Sequence, residues 1–519
     1  MLTTDRKMFI ASADGREICL NPAMGNRHGL VAGATGTGKT VTLSNLAESF
    51  SALGVPVFLT DIKGDLSGLS QKGEPSGGIA ERISALNLKA EGYENRPYPA
   101  CFWDVFGEKG HPLRATVSSL GPLLFSRLLD LNDVQGGVMH LIFKLADDRG
   151  LLLLDLKDLR SLITYVGENR QEFSVKYGNI SQASLGAIQR GLLRLEEEGA
   201  EHFFGEPALE LRDILLTNSD GRGLLHILAA DALVRTPKLY AAVLMWLLSE
   251  LFEELPEVGD LDKPRLVLMF DEAHLLFSDA PQVLVDKIEQ VARLIRSKGV
   301  GVYFITQSPS DIPDSVLSQL GNRIQHALRA FTPKDQKAVR TAAQTFRPNP
   351  GFKTEEAITT LGIGEALVSF LDDKGAPGIT ERALILPPES RVGSISPEER
   401  RQVMLSSPLA GRYDKPIDRE SAYELLSKHF AERQAETEAA EKEKELARQR
   451  KEEEAEARRQ MKEQQKQDRG EQRAAKKNSD ILGSAVESFA KQASRTIGRE
   501  IGTKVIRGIL GGLFGGRKK

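Results

Sequence analysis

Apolar residues along this chain fall into short continuous runs at some places and into three- or four-residue steps at others, and the two patterns alternate. Residues 29–32 form a short apolar strand that runs into a glycine-rich loop, and a helix is predicted from Lys39 to about Leu53. A buried strand follows over Val55–Thr60 and ends at Asp61. Strand, loop, helix and strand in that order open a parallel α/β domain. Further strands are predicted at Ala100–Phe106, Gly223–Ala229, Arg265–Phe270, Val300–Thr306 and Ile324–Ala330, with a helix over Leu239–Leu255. This alternation predicts a doubly wound sheet. Residues 8–22 read as a β-hairpin turning at Asp14–Gly15.

Between about Pro112 and Arg212 the pattern changes. Leucine recurs at helical spacing through Val117–Leu129, Gly136–Leu145, Leu156–Val166 and Gln182–Glu198, which predicts a mainly helical insertion. The domain plan is therefore a short β segment (1–28), a core in two parts (29–111 and 213–390), the insertion (112–212) and a helical linker (391–431). Residues 432–477 carry 14 Lys and Arg against 13 Asp and Glu, with Leu446 and Met461 nearly the only large apolar residues. That run lacks the apolar seam of a coiled coil and predicts a solvated, ion-paired helix or disorder through residue 480. In the tail, 481–519, Leu482, Val486, Phe489, Ala493 and Ile497 begin an apolar stripe, and the net charge is +6. Such a basic amphipathic stretch suits packing on the protein or a partner, an anionic membrane surface, or a disordered solubilising tail.

Composition narrows the class. With 519 residues, 40% hydrophobic content and a net charge of −3, the chain reads as a globular protein whose polyanion-binding surface would have to be local. Cys19 and Cys101 match no zinc spacing and no disulfide framework, and no signal peptide or run of about 18 apolar residues occurs, so a cytoplasmic location is expected.

The chemistry starts at the glycine-rich loop. Gly33, Ala34, Thr35, Gly36, Thr37, Gly38, Lys39 and Thr40 fit G-x-x-x-x-G-K-[ST] throughout, between a strand and a helix as that motif requires. The glycines let backbone N–H groups face phosphates, Lys39 is expected at the β- and γ-phosphates, and Thr40 at Mg²⁺. The cofactors expected are therefore ATP and Mg²⁺. The strand Arg265–Phe270 ends in Asp271-Glu272, where Asp271 suits the metal and Glu272 the attacking water. Gln307, at the tip of the next strand, suits a γ-phosphate sensor or a plain turn. Arg323 is the first choice and Arg329 the second for an arginine given to a neighbour's phosphate. Asp61 suits either the metal's water or a turn. His274 completes Asp-Glu-Ala-His, but the Ser-Ala-Thr motif and late arginine-rich motif of DEAH-box helicases are absent, so His274 is read as locally structural.

The phosphate loop, Asp61-Ile-Lys-Gly-Asp65, Asp271-Glu272, Gln307 and Leu361–Val368 together resemble the HerA/FtsK class of motor ATPases, in a YjgR-type branch of HerA-like proteins. The likeness covers about residues 8–390. It implies a RecA-like P-loop core, a homohexameric ring with ATP between subunits, and translocation along double-stranded DNA. It also implies catalytic roles for Lys39, Glu272, Gln307 and Arg323. A motor acting on protein or a membrane assembly, or a nucleotide-dependent scaffold, shares these residues and is the alternative. Only some 28 residues precede the first core strand, too few for the β-barrel of HerA proteins proper, so partnership with a nuclease is not expected.

Overall fold

The computed structural model describes residues 1–277 and 282–479. Their strands, in chain order, are β1 (Met8–Ala13), β2 (Arg16–Leu20), β3 (Gly29–Ala32), β4 (Val57–Asp61), β5 (Ala100–Asp104) and β6 (His111–Pro112). Then come β7 (Leu225–Ala229), β8 (Leu266–Phe270), β9 (Val300–Thr306), β10 (Asn322–Gln325), β11 (Glu365–Ser369) and β12 (Glu381–Ile385). All join one sheet in the order β2-β1-β12-β11-β10-β3-β9-β8-β4-β7-β5-β6. From β10 to β6 the pairing is parallel, and from β10 back to β2 it is antiparallel.

This is the expected α/β architecture, a mostly parallel sheet with the glycine-rich loop between β3 and the helix that follows it. Helix α1 (Lys39–Ala52) follows β3, and its Leu43, Leu46, Ala47 and Phe50 pack into a cluster with Met8, Val31, Leu59 and Ile305. Phe50 meets Tyr303 edge-on at 5.5 Å between ring centres. The central strands are buried at every position, and apolar until Thr60, Asp61 and Thr306 at the tips, because both sheet faces are covered.

The N-terminal hairpin forms where expected, but it is an edge of the main sheet rather than a segment apart: Ala11 pairs with Ile385. The strand expected at Ile324–Ala330 lies earlier, at Asn322–Gln325. The 112–212 region holds helices Val117–Leu128, Asp133–Arg149, Leu156–Glu168 and Gln182–Glu197, as the leucine spacing predicts, and also Arg170–Tyr177.

The chain divides into units 1–429 and 430–519. In the second, a helix continues to Ser479 and residues 431–471 are all exposed, so among the described residues no coiled-coil seam is buried. The 481–519 stretch lies outside the described residues. Among those described, no helix is long and apolar enough to cross a membrane.

Candidate nucleotide site

The tips of β3, β9, β8 and β4 stand side by side, and the sequence-predicted groups sit on them. At the end of β3 the loop folds over positive φ at Gly36 (78°) and Gly38 (111°). At Gly33 a Cβ would stand 2.5 Å from the Cβ of His326, so only glycine fits there. Hydrogen bonds from Gly33 N to Thr306 O (3.2 Å) and from Ala34 N to Ala327 O (2.8 Å) pin the loop to β9 and to the chain leaving β10. Gly364 N donates to Thr37 O at 3.0 Å, and Arg82 in turn donates to the carbonyls of Ile363 and Gly364.

Lys39 is buried, and its ammonium donates to Gly33 O (2.8 Å) and Ala34 O (3.1 Å). Burial lowers its pKa, against the attraction of Glu272. Both present partners are neutral carbonyls; a phosphate oxygen is a stronger, charged acceptor for the same donor. Thr40 Oγ1 donates to Asp65 Oδ2 at 3.3 Å, and the other oxygen of Asp65 is buried with no hydrogen-bond partner.

Asp271 directly follows β8, and its backbone N–H donates to Thr60 Oγ1 at 3.2 Å. Burial, with Glu272 beside it, pushes its carboxyl up to about 6. Burial and the nearby Asp65 push Asp61 up to about 7, although Gly64 N donates to it at 2.8 Å. Burial and neighbouring carboxylates thus disfavour full ionisation of Asp61 and Asp271 in the absence of a cation. Thr40, Asp65 and Asp271 are hard oxygen donors of the kind Mg²⁺ takes. Among the described residues, no group of three or more His, Cys, Asp or Glu could hold a metal alone. A magnesium ion held here would need oxygen ligands beyond these side chains, such as those of a phosphate.

Glu272 has a left-handed backbone (φ 47°), a strained state for a residue with a side chain. Its carboxylate meets Lys63 Nζ in an ion pair and accepts from Gln307 Nε2 at 3.3 Å. Burial would raise its pKa, but the Lys63 ammonium holds it below the usual glutamate value. His274 stands alongside, with Nδ1 3.3 Å from Glu272 Oε2.

Beyond Gln307 opens a cavity of about 770 Å³ lined by Ala34, Thr35, Gln307, Arg329 and Phe277. Arg329 is exposed at its edge. Arg323, expected to reach a neighbour's phosphate, is instead built into its own fold. It sits opposite Leu30, three positions before the loop begins, or roughly 10 Å along the strand. Its guanidinium donates to Leu317 O (3.0 Å), Leu320 O (2.9 Å) and Thr345 O (2.6 Å).

The sequence reading did not single out Lys63, Asp65 or His326 for roles. Lys63 and Asp65 lie in the quoted strand-tip segment, so charge at that tip was the available signal. His326 gave none.

A family model described as "Helicase HerA-like C-terminal" matches residues 6–519. The chain belongs to this family. A probable helicase of Methanocaldococcus jannaschii is 33% identical over 120 residues, 22% of this chain and 21% of that protein. The DNA double-strand break repair helicase HerA of Sulfolobus acidocaldarius is 28% identical over 104 residues, 20% of each. This HerA-like chain thus spans about a fifth of the length of the curated relatives it matches. Among solved structures, VirB4 of Thermoanaerobacter pseudethanolicus aligns over 77% of this chain and 100% of its own, at 15% identity and a TM-score of 0.48. The plasmid coupling protein TrwB, in complex with a non-hydrolysable GTP analogue, aligns over 73% of this chain and 90% of its own, at 15% identity and a TM-score of 0.47.

Proposed function

We propose that this HerA-like chain is a Mg²⁺-dependent ATP hydrolase that works as a homohexameric ring and moves along double-stranded DNA. One observation carries the hydrolase reading: Lys39, Thr40, Asp271, Glu272 and Gln307 converge from three adjacent strand tips. Lys39 has the position to hold the terminal phosphates, helped by the N-terminus of α1. Thr40 and Asp271 would hold the magnesium ion, which supplies positive charge against the transferring phosphoryl group when bound. Glu272 orients and polarises the attacking water, and Gln307 ties that carboxylate to β9. Arg329, exposed beside the cavity, now stands ahead of Arg323 as the arginine offered to phosphate.

The ring and the DNA rest on family membership and on the names of the relatives. The test is the ATPase rate of the full chain with and without double-stranded DNA at two salt concentrations. Stimulation that weakens with salt is expected, because phosphate contacts release counterions. A rate that ignores DNA at both salts would count against DNA as the substrate of the motor.

A further inference from the structure

Both carboxylate oxygens of Glu272 have partners before any substrate arrives. Oε1 meets the Lys63 ammonium and Oε2 accepts from Gln307. The two halves of the ion pair differ in freedom. The Glu272 side chain is 6% exposed, whereas that of Lys63 is 49% exposed. Lys63 comes from the turn after β4, where Gly64 takes a φ of 79°. It also borders a cavity of about 690 Å³ shared with Asp61, Gly64 and Arg400. A buried carboxylate is thus stoppered by a cation on a flexible stem with open space beside it.

An attacking water must donate a hydrogen bond to this carboxylate, and an ammonium on the same group competes for that place. We propose that Lys63 is a positioning residue that restrains Glu272 in the nucleotide-free protein and leaves it when a nucleoside triphosphate binds the phosphate loop. The proposal rests on the ATPase reading above. Charge drives the exchange. The triphosphate brings a competing anion to the loop. A divalent cation beside Asp271 and Asp65 neutralises the carboxylates that help hold the ammonium there. Lys39 and Lys63 already oppose each other across the site.

Zero-length carbodiimide coupling joins an ammonium to a carboxylate in direct contact, and peptide mass spectrometry locates the bond. With the full wild-type chain, a Lys63–Glu272 isopeptide is expected without nucleotide. Its yield is expected to fall at least about five-fold with the β,γ-imido analogue of ATP and Mg²⁺. Equal yield in both states, or no isopeptide without nucleotide, overturns the restraint. In turnover assays, Lys63→Met is expected to raise kcat about three- to ten-fold with KM for ATP shifted by less than about two-fold. Lys63→Arg, which keeps a cation at the carboxylate, is expected to restore the wild-type rate. A Lys63→Met kcat equal to or below wild type overturns the proposal. A wild-type chain that hydrolyses no ATP yet shows nucleotide-sensitive coupling would sink the ATPase reading and leave the restraint standing.

Discussion

Thr42 Oγ1 lies 2.8 Å from His326 Nε2, which fastens the first turn of α1 to the end of the neighbouring strand β10. The tautomer follows from the other side of the ring. His326 Nδ1 faces the Glu365 carbonyl at 3.0 Å, so Nδ1 carries the hydrogen and Nε2 accepts from Thr42. Burial pushes the imidazole down to about 4, so the ring is neutral near pH 7. His326→Ala is expected to loosen the phosphate loop, costing about 1–3 kcal/mol of stability for the orphaned polar partners. A thermal melt and an ATP titration on the variant check both effects.

Lys39→Ala is expected to remove tight ATP binding, since the terminal phosphates lose their fixed cation. Equilibrium binding of a fluorescent ATP analogue reads this, with circular dichroism confirming the fold. Wild-type affinity in a folded variant would refute the phosphate-loop role.

Glu272→Gln keeps the shape and hydrogen-bonding reach of the side chain and removes its charge. The variant is expected to bind ATP and fail to turn it over. Filter binding with labelled ATP, followed by product analysis, separates the two steps. Release of ADP at the wild-type rate is the result that would make Glu272 a structural residue.

The two arginines are expected to part company. Arg323→Ala deprives the carbonyls of Leu317, Leu320 and Thr345 of their donor, a loss of about 2–4 kcal/mol. Its ATPase rate per folded molecule should stay near wild type. Arg329→Ala should melt normally and hydrolyse slowly, because arginines supplied to phosphate are worth roughly 10³–10⁵ in rate in some NTPases. Mixing Arg329→Ala with Lys39→Ala chains should recover some activity if the arginine acts across an interface.

Asp61 gives a pH prediction with a definite sign. Its folded pKa, about 7, lies above the ordinary aspartate value of 3.8. The folded chain therefore binds the proton more tightly than the unfolded one, and stability falls as pH rises from about 4 to about 7. Asp61→Asn keeps an acceptor for Gly64 N–H without the charge. In the ligand-free protein it should raise Tm at pH 8, by an amount corresponding to a few kcal/mol, and change little at pH 4. An equal shift at both pH values would show that charge is not the reason.

What the sequence revealed and what it hid divide along physical lines. β3, β4, β8 and β9 are mostly apolar runs because both sheet faces are covered, and such runs are visible in one dimension. β10 is hard to read because three of its four residues, Asn322, Arg323 and Gln325, are polar although the strand is largely buried. Asn322 donates to the carbonyls of Met24 and His28, and Arg323 to three others, so backbone acceptors satisfy a strand that looks like a loop. The phosphate loop is legible because its function needs consecutive residues. The Lys63–Glu272 pair joins positions 209 apart, and nothing local announces it.

The pairing of Ala11 with Ile385 has a consequence for how the chain is made. A ribosome emits β12 some 370 residues after β1, the distance from Ala11 to Ile385. At roughly 5–20 residues per second, the nascent hairpin waits on the order of 20–75 s for its neighbour. During that interval the apolar face of β1 has no finished sheet to join. Of the two edges of β1, one is paired within the hairpin at once and the other is among the last in the sheet to be covered, so folding depends on keeping that second edge free until its distant partner emerges.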